Sequence, residues 1–212
     1  MEVEMTDYTL TYGKHDTRDE GMCLMEAVAY LAGEPHTDEP ACACPILTAY
    51  AVRVNDAMGK GSYGDALRAR YLHDLAPMLV GSKSTPEVEQ ARLYVLADHA
   101  VRVFAPLALE SIGLNDEAAR LRTIGAVVDK QSVAKAAQHT SRAADEAAED
   151  ARSAWCAYWA VAEAADAGEV WKDAWYAAGD AAGAAARAAD ASGDAVWNAA
   201  RQALIAALEV AP

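Results

Sequence analysis

VAKAAQHTSRAADEAAEDARSAWCAYWAVAEAADAGEVWKDAWYAAGDAAGAAARAADASGDAVWNAARQALIAALEVA, residues 133–211, decides the fold. About four in ten of its residues are alanine, the best helix former and the side chain with least to pack. Acidic residues and all five tryptophans of the chain are spaced through it. The stretch predicts closely packed helices of bland chemistry. Gly168, Gly179, Gly183 and Gly193 punctuate it, and Ser192-Gly193-Asp194 reads as a turn. Trp155 and Trp159 are four apart, and Trp171 and Trp175 repeat that pair 16 residues on. Each pair falls on one helical face. As core anchors they would fill gaps between alanine-lined helices. As an exposed stripe they would dock a partner.

Upstream, the same reading continues with more varied residues. A polar arm with a short extended piece at Tyr8–Tyr12 leads to a helix over Glu20–Ala32, apolar on nearly every face and so central. Gly33 stops it and Pro35 prevents its return. Further helices are expected over Ile46–Met58, Asp65–Leu75, from Ser84 to about Phe104, and after Asn115. Ser84 and Glu87 are spaced as a capping box, and Pro106 bends or ends the helix before it. No strand pattern competes. The expectation is an all-α protein: an arm over residues 1–19, a helical domain over 20–130 with a Cys/His loop, and an alanine-rich helical region over 131–212. That last region packs on the domain or on a second subunit, because short alanine-rich helices are marginal alone.

The net charge of −14 is uneven. It is −8 over residues 1–59, +1 over 60–140 and −7 over 141–212. Direct nucleic-acid binding needs clustered Lys and Arg, so it is not expected. A basic partner suits the acidic ends, and so does an acidic surface that imitates nucleic acid. The N-terminal MEVEMTDYTLTYGKHD is unlike a secretory leader. No apolar run approaches the roughly 20 residues of a membrane span. A cytoplasmic protein with reduced thiols is the expectation.

Chemistry concentrates in the N-terminal third. Cys23, His36, Cys42 and Cys44 would supply the thiolate and imidazole ligands that zinc prefers, with Asp38 nearby. Otherwise Cys23 is a small core residue, Cys42 and Cys44 are loop thiols, and no cofactor is needed. Glu26 is the odd residue on its apolar helix, and a buried carboxylate must be paired or neutralised. Arg53 on the next helix is the expected partner. The pair reads as a buried ion pair fixing two helices, or as a general acid or base.

The run ARYLHDLAP, residues 69–77, contains His73-Asp74, which resembles the metal-binding dipeptide of the all-α HD-type phosphohydrolases. That likeness implies metal ligands at His36, His73, Asp74 and either Asp98 or Asp129. His36, however, falls in a Pro-flanked loop where the family has a helix. Walker A, G-x-G-x-x-G and G-x-S-x-G sequences are absent.

GMCLMEAVAYLAGEPHTDEPACACP, residues 21–45, is the most specific block. With APMLVGSKST, residues 76–85, and the Ala/Asp/Trp-rich tail, it resembles a family of uncharacterised actinobacterial and actinobacteriophage proteins. Cys23, Glu26 and Cys42 fall on that family's motif, whereas the position of Cys44 is often serine there. Residues 97–189 are also loosely similar to small alanine-rich proteins described as immunity proteins. The resemblance implies a non-enzymatic protein that acts by protein–protein contact, as a homo-oligomer or with a host protein. It also implies a phage or mobile-element accessory role, in host takeover or defence interference.

Overall fold

The computed structural model describes residues 8–132, 135, 136, 179, 182, 183, 186 and 193–210. Among them the chain is all-α, with eight helices and no strand. None of these helices is long and apolar enough to cross a membrane. The helices are α1 (Leu24–Ala32), α2 (Pro45–Ala57), α3 (Ser62–Tyr71), α4 (Ala76–Leu79), α5 (Pro86–His99), α6 (Ala105–Ser111), α7 (Asn115–Arg122) and α8 (Gly193–Leu208).

α1 is the centre. Its first six residues, Leu24 to Ala29, are all buried, and it packs on α2 and α4. It begins four residues later than the sequence pattern predicts. Arg18–Glu20 is a separate 3-10 turn, and Gly21 breaks the chain at φ 135°. Cys23 is therefore the N-cap of α1 and lies outside the helix proper. The expected extended piece is present, where Leu10 makes a single parallel bridge with Met22. Tyr8 and Leu10 are buried in the main core, so residues 8–12 contribute apolar packing as well as backbone pairing.

α2 ends on an arginine. Arg68 of α3 is the largest fully buried side chain. Its Nε donates to the Asn55 carbonyl at 3.0 Å and its Nη2 to the Gly59 carbonyl, while Asp65 accepts from Nη1 at 2.9 Å. The last carbonyls of a helix lack intrahelical donors, and this guanidinium supplies them. Burial lowers the Arg68 pKa, and Asp65 opposes that. Gly64 permits the contact, because a Cβ there would lie 2.3 Å from the Gly59 carbonyl oxygen.

Proline sets two boundaries differently from the pattern. Pro77 opens α4 after the 3-10 turn His73–Leu75. Pro106 sits in the first turn of α6, and the chain before it, Ala100–Phe104, is a π-helical turn. Pro106 has no N–H for the carbonyl four residues back and its ring crowds that carbonyl, so the wider π register absorbs the defect. At α5 the cap is Thr85, whose Oγ1 accepts from the Val88 N–H at 3.5 Å. Ser84 instead donates its backbone N–H to Glu89.

α8 is the described helix of the alanine-rich region. Val196, Trp197, Ala200, Ala203, Leu204 and Ala207 form its buried stripe and face α5, α2 and α3. Ala200 leaves its own backbone reachable, and the Tyr50 hydroxyl donates to its carbonyl at 3.2 Å. Burial pushes the Tyr50 phenol far above its ordinary pKa. Arg201 grips the 3-10 turn with both Nη atoms on the Asp74 carboxylate and one on the Tyr71 carbonyl.

That pair makes a pH prediction. The hydrogen bond from Arg201 holds the Asp74 carboxyl below its usual range. Its stabilisation is present above the unfolded carboxyl pKa of about 3.9 and is lost as pH falls through the lower folded value. In urea melts, wild type should exceed Asp74→Asn at pH 7, and the difference should shrink as pH falls below the unfolded carboxyl value.

Candidate functional site

Glu26 is fully buried and lies in the first turn of α1, where the helix dipole favours a carboxylate. With Cys23 it forms a capping box, and Oε2 accepts the Cys23 N–H at 2.7 Å. The remaining donors come from elsewhere in the chain. Oε1 accepts the His15 backbone N–H at 2.7 Å, and Oε2 meets His15 Nδ1 at 2.8 Å. His36 Nε2 stands 3.5 Å from Oε1 and donates to the His15 carbonyl at 3.1 Å.

A carboxylate oxygen accepts, so His15 Nδ1 presents its N–H to Glu26. On the far side of the ring, His15 Nε2 lies 3.1 Å from Thr11 Oγ1, a contact in which the hydroxyl donates when Nε2 carries no proton. The same hydroxyl reaches the Met22 carbonyl at 3.4 Å. The result is a hydroxyl–imidazole–carboxylate chain over Thr11, His15 and Glu26. Thr11 is half-buried, and the His15 side chain keeps 13% of its exposure.

α2 holds the same segment from the other side. Asn55 is fully buried. It donates Nδ2 to the Thr11 carbonyl at 3.0 Å and accepts the Leu24 N–H at Oδ1. Asp56 Oδ1 accepts the Gly13 N–H at 3.0 Å. Lys14 bridges to Asp38 at 2.6 Å, and that hydrogen bond raises the lysine pKa.

The expected Glu26–Arg53 pair is not formed. Imidazoles and backbone N–H groups take the carboxylate, while Arg53 Cβ lies where a Cβ at Gly179 would have to go. Nor do Cys23, His36, Cys42 and Cys44 make a metal shell; among the described residues no cluster of three or more His, Cys, Asp or Glu side chains is placed to hold a metal. Each has a separate position. Cys23 caps α1, and burial with the Glu26 charge pushes its thiol far up. Cys44 is the N-cap residue of α2 and gives its N–H to Ser82 Oγ at 3.0 Å; its thiol is raised by burial too. Cys42 sits in a loop closed by Glu34, whose Oε1 and Oε2 accept the Cys42 and Ala41 N–H groups.

The HD-like set disperses as well. His73 stacks on Tyr8 with ring centroids 4.3 Å apart and contacts the Tyr8 carbonyl through Nε2. The Tyr8 hydroxyl returns a bond to the His73 carbonyl, and burial, with the Asp74 charge, raises that phenol to about 12. Asp74 holds Arg201. Asp98 holds Arg102 and the Val127 N–H, and Asp129 turns onto Ser132. Trp155, Trp159, Trp171 and Trp175 lie outside the described residues.

Sequence reasoning missed Thr11, His15 and Asn55. The available signal was an acid on an apolar helix with a histidine before it and another after it. Comparison with protein-family models, with curated proteins and with solved structures finds no match to this chain.

Gly21 keeps this arrangement open. It has φ 135°, and a Cβ there would lie 2.4 Å from Thr11 Oγ1 and 2.9 Å from His15 Nε2. Gly21→Ala should therefore cost at least about 2 kcal/mol, from backbone strain and from displacing both side chains, measured by urea denaturation. Glu26→Ala leaves three N–H donors buried without an acceptor and should cost about 3–5 kcal/mol.

Proposed function

We propose that this protein acts by contact with a basic segment of a partner protein, received in a recess where the α2–α3 turn faces the start of α8. The recess has a volume of about 440 Å³ and is lined by Met58, Gly59, Tyr63, Leu67 and Trp197, with Asp56 and Asp194 among them. The observation that carries the reading is Tyr63. It is 74% exposed in the lining of a recess that sets apolar side chains beside two carboxylates. Tyrosine and tryptophan around a pocket are the residues that dominate binding energy at protein interfaces.

Charge supports a basic occupant. The Asp194–Arg70 bridge spans 3.0 Å between side chains 62% and 64% exposed. A bridge so open to water holds weakly, so an incoming guanidinium displaces Arg70 at small cost. The −14 charge of the chain favours a cationic partner over a second copy carrying the same acidic face. Tyr12, 38% exposed on the other side of the turn, already carries Lys60 over its ring at 4.7 Å. The aromatic groups here thus accept cations within the chain itself.

Titration with an acetylated, amidated tetra-arginine peptide tests the reading. Binding should weaken as salt rises and fall about tenfold or more in Tyr63→Ala, with stability unchanged within about 0.5 kcal/mol because the ring is exposed. Binding unaffected by Tyr63→Ala, or no binding at low salt, overturns it.

A further inference from the structure

We infer that Thr11 is an activated acyl acceptor, with His15 as its base and Glu26 as the group that positions the base. The inference is independent of the recess and rests on the geometry around Glu26. A free threonine hydroxyl is a weak nucleophile, and it becomes a strong one when an adjacent base removes its proton as it attacks. That base must lie within about 2.6–3.2 Å and must be oriented by a third group. His15 Nε2 is 3.1 Å from Thr11 Oγ1, and His15 Nδ1 is 2.8 Å from Glu26 Oε2.

Two features make the arrangement directional. Glu26 is buried and receives the His15 backbone N–H through its other oxygen, so ring and main chain are fixed together. The Cys23 N–H adds a donor to the same carboxylate, and His36 Nε2 stands 3.5 Å from it while holding the His15 carbonyl. The Nε2 edge of the ring thus faces the Thr11 hydroxyl at 3.1 Å, on a half-buried residue. The bare Cα of Gly21 leaves that contact uncrowded.

The chemical class this suits is an activated ester or thioester. Thr11 Oγ1 attacks the acyl carbon while its proton passes to His15 Nε2. The bond to the leaving alcohol or thiol breaks, and the leaving group takes that proton back from His15. The products are an ester on Thr11 and a free alcohol or thiol, with no oxidant or reductant required. Glu26 touches no reacting atom and acts through the orientation of His15.

p-Nitrophenyl acetate is the probe, with acetylation sites mapped by tandem mass spectrometry of the full chain. Thr11 should be O-acetylated about 100-fold faster than other serine and threonine hydroxyls, the low end of what a positioned base contributes. His15→Asn keeps a donor near the Nδ1 position for Glu26 and removes Nε2; Thr11 acetylation should fall about 100-fold while the thermal melt is retained. Wild-type protein in urea, where the chain of contacts is broken, should acetylate Thr11 no faster than any other hydroxyl. Acetylation confined to amines and phenols overturns the inference. So does a Thr11 rate unchanged in folded His15→Asn or in urea.

Discussion

The buried carboxylate of Glu26 is the constraint on which the N-terminal half depends. A carboxylate without water must be met by donors, and α1 supplies only the Cys23 N–H from its own start. The others come from His15, eleven residues earlier. His36, ten residues later, holds the His15 carbonyl and stands 3.5 Å from the same carboxylate. Asn55 and Asp56 at the end of α2 repeat the device, taking N–H groups from Leu24 and Gly13 and giving one to the Thr11 carbonyl. The segment around residues 11–15 has no helix or sheet of its own. Side chains from α1 and α2 take its Gly13 and His15 N–H groups and hold the Thr11 carbonyl. The Thr11 N–H pairs with the Met22 carbonyl and His36 holds the His15 carbonyl, as buried backbone groups require. A well-packed apolar replacement can match a buried ion pair in stability. What the polar set adds is a single orientation of the His15 ring.

Much of this architecture was legible in the chain. The apolar run from Leu24 to Ala29 reads as a central helix because no face of it carries more than one polar residue, and it is central. Pro45 reads as a helix start and serves as one. Where fold and pattern differ, the chemistry is shared between elements. The pattern predicts a helix from Glu20, whereas Gly21 at a positive φ breaks the chain and α1 begins at Leu24. Glu26 was assigned to Arg53 because arginine is the habitual partner of a buried acid. Its actual partners lie in loops, where spacing carries no geometric information. Arg68 is the reverse case. In sequence it is an ordinary helical arginine, and in the fold it is wholly buried as the cap of another helix.

The alanine-rich region shows how composition and position divide the labour. α8 lies flush on the bundle through Ala200, Ala203 and Ala207, which let backbones approach closely. Trp197 supplies the bulk that alanine lacks and is nearly all buried. A helix so poor in side-chain contact depends on polar anchors at its ends and edges. Arg201 on Asp74 provides one, and the Tyr50 hydroxyl provides another by reaching the Ala200 carbonyl. The same start of α8 forms one wall of the Tyr63 recess, so docking of this helix on the bundle creates the cavity assigned to a partner.

Stability and the proposed reactivity use the same bonds at Glu26. The donors that make a buried charge tolerable are those that orient His15, so any strong perturbation of the carboxylate removes both the fold of residues 11–15 and the alignment of the imidazole. The two roles separate only one step outward, at the Nε2 edge. There the ring meets the Thr11 hydroxyl, which also has the Met22 carbonyl within reach, so the imidazole is not the only partner of that hydroxyl. Gly21 bears on the same point. A turn at this place requires a positive φ, which glycine supplies, but it does not require that the turn pass over the hydroxyl–imidazole contact at a distance that excludes any Cβ. A turn that leaves the hydroxyl and the Nε2 edge free of any Cβ is what the proposed nucleophile and its base require.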